Sequence, residues 1–131
     1  MKLYLTIICG LLLCANAKSQ SLEIVNAKEA SEIVNCRNTI NTIIIDGRND
    51  VMYAEKHIKG AINIDAFSDS ATTELKKHLE TKEIIVYCTN QRRAELLIEK
   101  LNELQYNGKI IFIIDGLNAW ISSGYRTVGT Q

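Results

Sequence analysis

The sequence predicts an α/β sandwich of three layers around a mainly parallel sheet of about five strands. Three observations predict it. Apolar, β-branched runs recur at 42–46, 83–87 and 109–114, a composition suited to strands buried on both faces. Segments of helical period separate them, the longest over 92–105. Strand and helix then alternate along the chain, as in parallel crossover units. The chain has 131 residues, which suits one domain. Fifteen basic and fifteen acidic side chains balance, so no global field would draw nucleic acid or a membrane surface.

The elements follow in order. Ser21 to Val25 is a short apolar stretch, read as an edge strand. Asn26 is an N-cap residue with Glu29 three positions on, a capping box. Ala27, Ala30, Ile33 and Val34 share one helical face, so a helix runs over about 27–36. Asn38 to Asn41 turns the chain into the strand 42–46. Gly47 to Asp50 forms a loop, Val51 to Lys56 a helical turn, and Ala61 to Ile64 a short strand. Ser68 or Asp69 caps a helix over about 69–79, with Leu75 and Leu79 inward. Glu83 to Tyr87 is the next strand. Residues 92–105 form the long helix, striped by Ala94, Leu97, Ile98, Leu101 and Leu104 and ended by Asn107-Gly108. Lys109 to Ile114 is the last strand. Asn118 caps a final short helix through Trp120.

The N-terminus reads differently. Lys2 is followed by the apolar run Leu3 to Leu13 and by Ala15-Asn16-Ala17, an A-x-A cleavage pattern. These mark a secretory signal peptide over 1–17, cut after Ala17, and leave 18–131 as the domain. The apolar run is short for a membrane span, so the mature form is expected to have none. The expected location is secreted or periplasmic. A lipoprotein anchored at Cys14 is the minor alternative, since a lipobox wants a small residue where Leu13 stands. Cleavage removes Lys2, Cys9 and Cys14, leaving Cys36 and Cys88. Those two lie far apart in sequence, on different elements, and are not expected to pair.

Cys88 stands at the carboxyl end of one strand, on a short loop, Thr89-Asn90-Gln91, that feeds the helix beginning at Arg92. Open α/β folds bind ligands there. Backbone N–H groups and the helix dipole favour an anion at that point, including a thiolate. Cys88 is therefore the candidate nucleophile. Arg92 and Arg93 add two cations where a helix dipole disfavours them, which argues for a bound anion. A buried structural cysteine is the plainer reading of Cys88, and a solvated first turn that of the arginines.

Three segments in order resemble a single-domain rhodanese. Ile43 to Arg48 is similar to that family's apolar strand ending in D-x-R. Glu55 to Asn63 is similar to its H-I-x-G-A-x-N segment. Val86-Tyr87-Cys88, with Arg93 five positions on, is similar to the loop C-x-x-G-x-R. Downstream, Asp115-Gly116, Trp120 and Gly124 resemble the terminal G-G…W…G pattern, so the likeness spans roughly 22–126. It implies a thiosulfate or persulfide sulfurtransferase that carries sulfur on Cys88 as a persulfide. Thr89, Asn90, Gln91, Arg92 and Arg93 would bind the donor. It implies no metal and no organic cofactor. It also implies that Asp46 and Arg48 brace the site loops and that His57 tethers a loop rather than acting as a base. The partners would be a small anionic sulfur donor and a thiol or cyanide acceptor, with a monomer as the default state.

Three positions depart from the pattern. Gln91 replaces the loop Gly, Ala94 the residue after Arg, and Asp115 the first terminal Gly. They bear on the loop's shape and so on activity, because Gly reaches backbone angles that other residues do not. Two alternatives follow: a non-catalytic rhodanese-like binding or regulatory module, and an extracytoplasmic persulfide or redox sensor. A phosphatase of this fold is disfavoured, since phosphate needs a loop one residue longer than Cys88 to Arg93 provides.

Overall fold

The computed structural model of the chain describes residues 20–130. The segment read as a signal peptide lies outside them. Five strands form one sheet: β1 (Ser21–Val25), β2 (Thr42–Asp46), β3 (Ala61–Asn63), β4 (Glu83–Tyr87) and β5 (Lys109–Ile113). Their order is β1-β5-β4-β2-β3, and every pairing is parallel. Five helices connect and cover them: α1 (Ala27–Cys36), α2 (Asp50–Glu55), α3 (Ala71–Lys76), α4 (Arg92–Glu103) and α5 (Gly116–Ser122). The expected architecture is the one found, with β1 at an edge.

The two-residue strand period divides the core. Ile84, Val86 and Cys88 of β4 and its exit face α4 with Ile45, Ile110 and Phe112. Ile85 and Tyr87 face the other way, packing with Val34 of α1 and Leu117 and Trp120 of α5. Both faces of β4 are thus dry, which accounts for its unbroken apolar run. Leu97 and Leu101 are fully buried on α4. Burying such a side chain stabilises by about 1.5–3 kcal/mol each.

Several element ends differ from the sequence expectation: α2 spans Asp50–Glu55, β3 ends at Asn63 and β5 at Ile113, and three further helices differ more. α3 spans only Ala71–Lys76, not 69–79. Three-residue turns (Ala71 N–H to Ser68 C=O, His78 N–H to Leu75 C=O) replace helix at its ends. Ser68 spends its hydroxyl on Ser70, so neither it nor Asp69 is the cap. α4 stops at Glu103. Gln105 takes a left-handed φ of 57°, and Tyr106 N–H reaches Leu101 C=O at 3.0 Å while Gln105 N–H reaches Asn102 C=O. This is a Schellman closure with Gln in the usual Gly position, so Asn107-Gly108 is not the cap. α5 begins at Gly116, and Asn118 lies inside its first turn instead of capping it.

Candidate functional site

The loop after β4 hangs between two anchors. On one side Gly47 N–H donates to the Tyr87 carbonyl at 2.9 Å. On the other, Leu117 N–H donates to the Cys88 carbonyl at 2.8 Å and Asn118 N–H to the Thr89 carbonyl at 3.3 Å. The first turn of α5 has no side-chain cap, and the loop's carbonyls take its free donors instead. Gly116 makes this approach possible. It sits at φ +67°, and a Cβ there would overlap the Thr89 carbonyl and lie 2.8 Å from Asn90 Cα.

With its carbonyls engaged, the loop leaves its amides free. Among the described residues no acceptor takes the backbone N–H of Thr89, Asn90, Arg92 or Arg93. Gln91 is the exception, because Asn90 Oδ1 accepts its N–H at 2.7 Å. The Gln91 N–H is therefore already satisfied within the loop. Gln91 itself has φ −133°, in the ordinary half of backbone space, so the loop does not require Gly there.

Cys88 is a free thiol, 1% exposed, packed on the α4 face of the sheet. Arg92 is exposed, while Arg93 is half-buried with its guanidinium carbon 4.9 Å over the Phe67 ring. Neither arginine forms an ion pair among the described residues. Among the described residues two buried side-chain polar atoms have no partner, Thr89 Oγ1 and Arg93 Nε. Both belong to this loop and its helix start. Unsatisfied buried polar groups are rare and disfavoured, so their concentration at one place makes this loop the candidate site.

Asp46 and Arg48 form a buried network at the end of β2, and His57 holds a neighbouring segment. The Asp46 carboxylate, fully buried, accepts from Arg48 N–H at 3.0 Å, Nε at 3.0 Å and Nη2 at 2.7 Å. Arg48 Nη2 also donates to the Lys56 carbonyl. Burial opposes ionisation of Arg48, and the hydrogen bond and charge of Asp46 outweigh it, so its pKa is raised. Asn63 Nδ2 ties the strand end by donating to the Arg48 carbonyl at 2.7 Å. His57 Nδ1 meets the Tyr53 carbonyl at 2.7 Å, its ring stacks on Tyr53, and its backbone bridges Val128. These groups are engaged in structure at the strand end beside the loop, and Cys88 is among the groups whose charge acts on Arg48.

Sequence reasoning missed Tyr87 and Phe67. Tyr87 is fully buried and its hydroxyl accepts Ile58 N–H at 2.9 Å, joining β4 to the segment after His57. Burial, then the Asp46 charge, hold its phenol far above the usual value. The strand period places Tyr87 opposite Cys88 and could have flagged it. No local pattern marks Phe67. Among the described residues no group of His, Cys, Asp and Glu is arranged to hold a metal, and no helix is long and apolar enough to cross a membrane.

Comparison with known proteins matches residues 26–123 to the Rhodanese-like domain. A tRNA uridine(34) hydroxylase of Oceanobacillus iheyensis is 41% identical over 59 residues, 42% of this chain and 18% of that protein. The chain therefore spans under a fifth of the length of such curated relatives. A rhodanese-related protein of Thermoplasma volcanium superposes with TM-score 0.64 at 27% identity, covering 81% of this chain and 97% of that one. A thiosulfate sulfurtransferase of Pseudomonas aeruginosa superposes with TM-score 0.67 at 19% identity, over 84% of this chain and 21% of that one.

Proposed function

The chain belongs to the rhodanese-like family, and on that premise we propose that it is a sulfurtransferase working through a Cys88 persulfide. The observation that carries the proposal is the cradle around the loop: unpartnered amides, Thr89 Oγ1 and Arg93 Nε beside one free thiol. The Cys88 thiolate attacks the outer sulfur of thiosulfate, and the S–S bond of the donor breaks to release sulfite. The sulfur stays on the enzyme as Cys88–S–S⁻, stabilised by the loop amides. Cyanide or a thiolate then takes that sulfur and returns the Cys88 thiolate, giving thiocyanate or a persulfide. Charge balances in each half, and no external oxidant, metal or cofactor enters. Arg93 would hold the anionic donor by charge-assisted hydrogen bonds. The A-x-A pattern at Ala15-Asn16-Ala17 supports export of the domain 18–131.

The test uses intact mass. Wild-type protein incubated with thiosulfate should gain one sulfur atom and lose it to cyanide with formation of thiocyanate, and Cys88→Ala should do neither. A wild type that gains no sulfur from thiosulfate or from a small persulfide would overturn the reading and favour a binding module. Export has its own measurement: the N-terminus of protein recovered from the host should be Lys18, and Met1 would refute it.

A further inference from the structure

We propose that Phe67 is the positioning residue for Arg93, and that it sets affinity for the anionic donor by holding that guanidinium over its ring. The inference rests on the sulfur-transfer reading for the identity of the anion. Phe67 is 56% exposed, although it belongs to neither core cluster. Its one special contact is the Arg93 guanidinium, 4.9 Å above the ring. A cation held over an aromatic face is attracted by the ring and does not commit its N–H groups to a protein acceptor, so they stay free for a ligand. Among the described residues no acceptor takes any of the Arg93 side-chain donors, and Nε is buried without a partner.

The backbone holds both members of the stack in register. Phe67 N–H is fixed by Asp65 Oδ1 at 3.0 Å, and the preceding Ala66 N–H donates to the Gly47 carbonyl at 3.1 Å. The Arg93 backbone packs on the same residue, since a Cβ on Gly47 would lie 3.4 Å from the Arg93 carbonyl. Gly47 thus aligns the loop bearing Phe67 with the first turn of α4. A free arginine has many rotamers, and the stack removes that disorder before the donor arrives.

The test measures thiosulfate binding at equilibrium in a Cys88→Ala background, where no turnover occurs. Phe67→Leu keeps apolar bulk without a π face and should weaken binding about three- to fivefold. Phe67→Tyr should restore it. With Arg93→Ala also present, Phe67→Leu should have no further effect. An unchanged affinity in Phe67→Leu, an equal loss in the Arg93→Ala background, or no thiosulfate binding by Cys88→Ala itself would each overturn the proposal. Protein that binds thiosulfate with this dependence but gains no sulfur on Cys88 refutes the transfer reading alone. Unfolding midpoints should agree among the Phe67 variants, because the ring is outside the core.

Discussion

Gly116 lies directly against the Thr89 carbonyl, so the first turn of α5 and the candidate nucleophile loop share one backbone contact. The left-handed φ of +67° and the missing Cβ are both required for it. Gly116→Ala is expected to destabilise the fold by more than about 1 kcal/mol, measured by urea unfolding. The same change should alter the rate at which Cys88 reacts with an alkylating reagent. A variant matching wild type in both measurements would show that the contact is dispensable.

Asp46 and Arg48 form a buried pair at 2.7 Å, with side chains 0% and 6% exposed. Removing one partner strands the other charge in the core. Asp46→Ala is expected to lower stability by roughly 3–5 kcal/mol, read from chemical denaturation.

Stability should fall in alkali. Tyr87 is held above its ordinary value by burial and Asp46, and Tyr106 is pushed up to about 12 by burial and then by Glu83. Both ionise near pH 10 when unfolded. Their stabilising contribution is complete below that pH and is lost above it, because the native state then binds more protons than the unfolded one. Each should add a slope of up to about 1.4 kcal/mol per pH unit. Tyr87→Phe should flatten the slope. It should also lower stability near neutrality by about 1–3 kcal/mol, since Ile58 N–H loses its acceptor.

Arg93 should govern donor binding more than chemistry. Arg93→Ala is expected to raise KM for thiosulfate roughly tenfold or more, the worth of a charge-assisted hydrogen bond. Arg93→Lys should restore little, because an ammonium lacks the forked donors of the guanidinium that lies over Phe67. Steady-state kinetics across ionic strength would check both. A KM indifferent to Arg93 would remove this residue from the donor site.

The long helix shows how far local pattern reaches and where it stops. Its apolar stripe and start were legible, because Ala94, Leu97, Ile98 and Leu101 repeat at helical spacing. Its end was misread. Gly108 looks like a C-cap, but its lack of a Cβ makes room for the Tyr106 ring, while Gln105 takes the left-handed position. The α3 boundary failed for a related reason, because Ser68 bonds Ser70 locally instead of capping.

By itself the sequence determined the alternation of elements, the parallel sheet and the position of Cys88 at a strand end feeding a helix. Those features depend on periodicity and on residues close together in the chain. The tertiary structure decided which loop atoms are free. Asn90 occupies the Gln91 amide, while the Thr89 and Cys88 carbonyls are taken by α5, almost thirty residues later. It also decided that Asp46 and Arg48 pair with each other, that His57 stacks on Tyr53, and that the Arg93 guanidinium lies over Phe67. The α5 contacts and the Phe67–Arg93 contact join segments distant in sequence and are set by packing of the whole fold, which no local spacing encodes.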